Sequence, residues 1–130
     1  MQSFGMTKML NATFDEALAK VPEALKTEGF GVLTEIDVAD TLKKKLGVEF
    51  RKYRILGACN PPFAHKALQT HLEVGLFMPC NVVVYENDEG KAVVSAVDPM
   101  QTMATRAGAE MQELAAAIRE KLSRVLDRIE

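Results

Sequence analysis

The residue pattern predicts a domain of the α+β class. Three observations carry this reading: five short apolar segments fit strands, a long apolar stripe with steps of four and three fits a C-terminal helix, and Asn87-Asp88-Glu89-Gly90 marks a tight hairpin. The length of 130 residues fits one domain, 1–130, able to close a single core without disulfides.

Gln2–Leu10 carries Phe4, Met6, Met9 and Leu10, enough for a first strand although the alternation is imperfect. Thr13 opens a helix, and Glu16 three residues on completes a capping box in which each side chain meets a backbone N–H. Phe14, Leu18, Val21 and Leu25 follow as one buried stripe. Pro22 lies within it, removes one helical hydrogen bond, and is expected to kink or split the helix near Ala19. Gly29 is the natural stop, because the left-handed conformation costs glycine little. Phe30–Ile36 reads as the second strand. Asp37 caps a short helix through Leu46, with Val38, Leu42 and Leu46 on one side and Gly47 ending it.

Phe50–Cys59 is the third strand, with Tyr53, Ile55, Gly57 and Cys59 on one face and Arg54, Leu56 and Ala58 on the other. A short helix follows Pro61. Glu73–Met78 and Cys80–Glu86 read as a fourth strand bent at Pro79, since proline cannot donate to a sheet ladder. The hairpin leads into Lys91–Val97, the fifth strand, which Asp98-Pro99 stops. The final helix spans about Thr105–Ile129, its stripe formed by Met111, Ala115, Ile118, Leu122, Val125 and Ile129. Glu120 and Arg124 stand at the favourable four-residue spacing for an ion pair.

Composition excludes several function classes. With 48% hydrophobic and 26% charged residues the chain is not a disordered tail, and no window approaches the ~18 uninterrupted apolar residues of a membrane span. Met1–Leu10 lacks the basic start and apolar run of a signal peptide. A cytoplasmic location and two reduced thiols are therefore expected. The formal charge of −2 gives no global pull toward nucleic acid or an anionic membrane. The basic cluster Lys43, Lys44, Lys45, Arg51, Lys52 and Arg54, with Phe50 and Tyr53 interleaved, reads as a solvated flank in preference to a nucleic-acid surface.

The chemistry-bearing residues concentrate between Tyr53 and Glu86. Both cysteines and both histidines lie there, and the dipeptide Cys-Asn occurs twice beside proline, at Cys59-Asn60-Pro61-Pro62 and Pro79-Cys80-Asn81. Asn60 suits an N-cap, bonding the Phe63 N–H, and Pro61 suits the first helical position, so Cys59 stands just outside a helix start. The dipole there favours the thiolate form. The two prolines remove N–H donors, which argues against a phosphate cradle. Packing is the competing account of both cysteines, among the most buried residue types.

Cys59, His65, His71 and Cys80 lack the close ligand pair of a structural zinc site, so no metal is assigned. A Cys59–His65 nucleophilic pair needs a third orienting group, for which Asn60, Asn81 or Asp98 would serve, and Cys80 would be its resolving thiol. Met78, Met100 and Met103 are candidates for an adaptable apolar wall.

Leu56-Gly57-Ala58-Cys59-Asn60-Pro61, Ala64-His65-Lys66-Ala67-Leu68, Gly75-Leu76-Phe77-Met78-Pro79-Cys80-Asn81-Val82 and Val97-Asp98-Pro99, with Gly29-Phe30-Gly31-Val32 upstream, resemble the bacterial and archaeal family called domain of unknown function 302. The resemblance covers nearly the whole chain. It implies a fold similar to half of the TATA-binding protein: a curved antiparallel sheet of about five strands with helices packed on one face, in β-α-β4-α order with short extra helices. It also implies a homodimer, and no reaction. A saddle-shaped scaffold does not by itself imply DNA binding.

Three functions are carried forward in order. The first is a non-catalytic small-ligand binding or sensing module, its pocket lined by Cys59, Asn60, His65, Cys80 and Asn81. The second is a structural dimerisation domain without a ligand. The third is a thiol-redox enzyme using Cys59. The cofactor is left unknown, and the expected partners are a second copy and a small molecule, with neither nucleic acid nor membrane.

Overall fold

The computed structural model describes residues 4–102 and 108–129. Met103, the expected helix start at Thr105, and Gln2 and Ser3 of the first strand lie outside the described residues. The elements are β1 (Gly5–Met9), α1 (Phe14–Lys26), β2 (Gly31–Asp37), α2 (Val38–Leu46), β3 (Tyr53–Cys59), α3 (Pro61–Thr70), a 3₁₀ segment (Leu72–Phe77), β4 (Cys80–Glu86), β5 (Ala92–Val97), α4 (Pro99–Thr102) and α5 (Gly108–Asp127). The strands form one antiparallel sheet in the order β1-β5-β4-β3-β2, the α+β arrangement expected.

Local chemistry accounts for the boundaries. At α1, Thr13 Oγ1 accepts the Glu16 N–H at 3.2 Å and the Thr13 N–H donates to Glu16 Oε1 at 3.0 Å, closing the capping box. Of the expected kink or split, the split does not occur: α1 runs unbroken through Pro22. Buried Phe14 and Ala17 before it, and Val21, Ala24 and Leu25 beside and after it, fix both halves to the core and offset the missing hydrogen bond. The helix closes where the Phe30 N–H returns to Leu25 O at 3.0 Å and the Gly29 N–H to Lys26 O at 3.1 Å. Gly29 supplies the left-handed turn at φ 84°.

The period of two then sorts the sheet into two faces. Leu56, Ala58, Cys80, Val82, Val84, Val94 and Ala96 point to one side and are buried with Val21, Leu25, Met111, Ala115, Leu122 and Val125 of α1 and α5. Lys8 joins this side by donating to Leu126 O in the last turn of α5 at 3.0 Å and to Ile129 O just beyond its end at 2.6 Å. In contrast α2, capped at Asp37 and closed by Gly47 at φ 68°, buries no residue fully; Val38 and Leu42 of its stripe are half-buried and Leu46 is exposed.

One expected strand half is absent. Leu72–Phe77 is a 3₁₀ helix, not the first part of a bent strand. The His71 Nδ1 atom accepts the Glu73 N–H at 3.3 Å and starts the turn, and the Met78 N–H closes it on Gly75 O at 3.2 Å. Only Val74 of the segment is buried, so its apolar residues do not mark a pleated surface. The sheet begins again after Pro79, at Cys80.

Candidate functional site

A half-open hollow of about 240 Å³ lies where the C-terminal end of β3, the start of α3 and the start of β4 converge. Its floor is Ala58, Cys59 and Cys80; Phe63, Ala64 and Ala67 of α3 form one wall; Met78 and Pro79 form another. Phe30, Leu33, Asn60 and Ile118 complete it. Two wider grooves of about 490 Å³ border α5, but each is lined largely by polar and charged side chains and is more open.

Two sequence devices create the hollow. A β-bulge shifts the β2–β3 register between Val32 and Thr34, and the extra residue, Leu33, is aimed at the hollow's edge, where it is 68% exposed. Gly57 is the second. A β-carbon there would stand 2.1 Å from Thr34 Oγ1 and 2.7 Å from Pro79 Cγ, so only glycine lets these side chains close over β3.

The structure joins three of the five expected site residues. Cys59 and Cys80 are free thiols on the same hollow, with Cys80 paired across the ladder to Ala58, the neighbour of Cys59. Burial first, and the nearby Cys59 second, push the Cys80 thiol up to about 11. Asn60 is the third. It occupies the N-cap position of α3 without making the expected side-chain cap to Phe63. Its Nδ2 donates instead to the Glu28 carbonyl at 3.0 Å, a buried acceptor that would cost more to leave unmet.

His65 and Asn81 stand outside. His65 is exposed on α3, turned away from the face that presents Ala64 and Ala67. Asn81 follows Cys80 directly on a strand and therefore points to the opposite face, where it is exposed. His71 is exposed as well, and among the described residues no group of three or more His, Cys, Asp or Glu is placed to hold a metal ion. A Cys59–His65 pair is not assembled either: His65 does not reach the hollow. Of the expected methionine wall, Met78 takes part and Met100 lies on a separate groove beside Arg119.

The chain's overall match to known proteins bears on this geometry. The profile of the family described as Domain of unknown function DUF302 matches residues 6–129. The chain belongs to the DUF302 family. A solved structure titled "Crystal structure of uncharacterized conserved protein DUF302 from Bacillus stearothermophilus" is similar to it at a TM-score of 0.90 and 33% identity, covering 99% of this chain and 100% of that one. None of the curated proteins compared with the chain matches it. DUF302 membership thus fixes the scaffold and leaves the reading of the hollow to its own residues. Of these, Phe30, Leu33, Phe63, Ala64, Ala67 and Ile118 carry no sequence signal that separates a cavity wall from core packing.

The basic cluster also resolves into local pairs. Lys43 meets Glu49 at 3.3 Å, Lys44 meets Asp40 at 2.9 Å, Arg51 meets Asp88 at 3.0 Å, and Arg54 bridges Glu35 and Asp37. Among the described residues no helix is long and apolar enough to cross a membrane.

Proposed function

We propose that this chain is a non-catalytic binding or sensing module for a small molecule, housed in the hollow between β3, α3 and β4. The observation that carries this reading is the meeting of Cys59, Asn60 and Cys80 in a concave space with otherwise apolar walls, the usual makeup of a ligand pocket. Among the described residues, no carboxylate, imidazole, amine or hydroxyl side chain lines it, and its titratable groups are the two thiols. That set binds and orients; it offers no acid–base pair for turnover. The test is a thermal-shift screen of a broad small-molecule library on the whole chain. A specific ligand at about 100 times its Kd should add roughly 2.7 kcal/mol of stability. A saturating screen without a stabilising compound would remove the reading.

A second copy is the proposed partner, and a separate observation supports it. The sheet face away from the helices carries Thr7, Met9, Thr34, Ile36, Tyr53, Ile55, Asn81, Val83, Tyr85, Val93, Ser95 and Val97, and not one charge. A water-facing antiparallel sheet ordinarily alternates with polar and charged residues. Five strands ~4.8 Å apart and about 20 Å long span some 500 Å² before side-chain relief, approaching the ~800 Å² per partner of a standard interface. An uncharged face also meets its own two-fold copy without like-charge repulsion. Sedimentation at micromolar concentration should show a dimer; a monomer throughout would exclude it.

A further inference from the structure

The chemistry of the hollow narrows the ligand, and the inference rests on the binding reading above. We propose that the hollow takes a neutral aromatic molecule of two fused rings with one hydrogen-bond donor, the size and character of an indole or a naphthol, and that Asn60 Oδ1 accepts from that donor.

Size sets the first limit. An apolar cavity of about 150 Å³ holds benzene, with its six heavy atoms. A hollow of about 240 Å³ scales to roughly ten, two fused rings instead of one.

Wall chemistry sets the second. Phe30, Phe63 and Met78 stand around the hollow. Ring edges and faces, and a thioether against a ring, add to apolar burial specifically for aromatic guests. A rigid bicycle also loses less rotational freedom on binding than a ten-atom chain.

Charge sets the third. Among the described residues no ionised side chain lines the space, so a carboxylate would be desolvated there without a partner. Lys121 lies 5.7 Å from the Phe63 ring centroid and is drawn to Glu28 at 3.9 Å.

Asn60 provides the one amide among the described lining residues. Its Nδ2 is committed to the Glu28 carbonyl, which fixes the amide's orientation and leaves Oδ1 as an acceptor. No buried side-chain nitrogen or oxygen lacks a partner among the described residues. Oδ1 is therefore reachable by solvent, on a residue that lines the hollow.

The experiment titrates the intact chain with indole, 2-naphthol, 1-methylindole, 2-naphthoate and 1-decanol, read by calorimetry and by amide NMR shifts. Indole and 2-naphthol should bind and move Leu33, Cys59 and Met78. 2-Naphthoate should bind at least ~10-fold more weakly, because its charge enters an apolar site. 1-Methylindole, lacking the N–H, should lose about fivefold against indole. Ala64→Phe, which fills the hollow from the helix wall, should abolish binding; Leu33→Ala, on the exposed edge, should weaken it and leave the fold intact.

The outcomes separate the two readings. Decanol binding while the bicycles fail would overturn the aromatic class and keep the pocket. Equal affinity for 2-naphthoate, or for 1-methylindole, would overturn the neutral-ligand or the Asn60 assignment respectively. Failure of every probe, together with a more stable Ala64→Phe variant, would make the hollow a packing defect and overturn both.

Discussion

Asn60 Nδ2 donates to the backbone carbonyl of Glu28 at 3.0 Å, so the wall of the hollow and the end of α1 form one unit. The Glu28 carboxylate in turn meets Arg124 at 3.0 Å and Arg128 at 2.5 Å, which ties that unit to the terminal helix. Gly29, between the two interactions, sits at φ 84° with room for a β-carbon only 3.2 Å from Asn60 Nδ2.

Removing that amide should therefore loosen the site and the fold together. Asn60→Ala leaves the Glu28 carbonyl buried without its donor, and the expected loss is about 1–3 kcal/mol in urea denaturation. Asn60→Asp should be at least as harmful, since it replaces the donor with a second acceptor. Asn81→Ala, on an exposed strand position, should stay within about 0.5 kcal/mol. Equal effects at Asn60 and Asn81 would refute the assignment.

The Glu28 cluster predicts the acid limb of stability. The Arg124 hydrogen bond, with a further one from Arg128, holds the Glu28 carboxyl below the usual carboxylate range despite burial. A lowered folded-state value means that the unfolded chain binds the proton first. The contribution is thus complete above the ordinary value of ~4.3 and is lost as pH falls through the folded value. Tm measured from neutral pH downward should drop in this window, and Glu28→Gln should be less stable at neutral pH with a shallower acid decline. Parallel curves for the two proteins would contradict it.

Much of this architecture is legible in the residues, and what is not has a physical reason. Thr13 and Glu16 lie three apart, so their reciprocal bonds follow from helix geometry alone. The stripe from Met111 to Val125 is likewise a local period, and all its members are buried. The Asn60–Glu28 bond joins residues 32 apart, and no local rule prefers it to a cap on Phe63. Leu72–Phe77 misleads because a short apolar run fits a strand or a turn equally well. Asn81 is different: the strand's own period of two already separates it from Cys80. The candidate site is then half visible, its thiols by their motifs and its walls only once the sheet is folded.

Cys80 predicts an alkaline limb. Its thiol, pushed up to about 11 chiefly by burial, stays protonated where the unfolded chain's ordinary thiol, near ~8.5, has ionised. The folded state then holds the extra proton, so stability is full below the unfolded value and falls as pH rises toward 11, by roughly 3 kcal/mol. Cys80→Ala should flatten the fall between neutral and alkaline urea midpoints. Iodoacetamide mapping should also leave Cys80 largely unmodified in the native chain at neutral pH. Rapid Cys80 alkylation without unfolding would refute its burial.

Gly57→Ala should distort the hollow through Pro79. The added methyl would overlap Thr34 Oγ1 and Pro79 Cγ, and a forced shift of this kind costs about 1–3 kcal/mol. Because Pro79 lines the hollow, binding of any pocket ligand should weaken more than the same stability loss placed elsewhere would produce. Adding Thr34→Ala removes the nearer clash and should recover part of the stability. No recovery in the double variant would place the strain on Pro79 alone.

The uncharged sheet face makes the sharpest claim about assembly. Ile55 and Val83 pair across the middle of that face and are flanked by Ile36 and Ser95. In an isolated chain a glutamate at either half-buried strand position would keep its carboxylate in water and cost about 1 kcal/mol. In a face-to-face dimer it would place two carboxylates near one two-fold axis, in an interior from which water is excluded. Ile55→Glu and Val83→Glu should therefore convert the dimer to monomer in sedimentation velocity while near-native circular dichroism is retained. Leu46→Glu, at the exposed end of the α2 stripe and off this face, should leave the dimer intact. If Leu46→Glu dissociates the dimer and the two sheet variants do not, the interface lies on α2 and the sheet assignment is wrong.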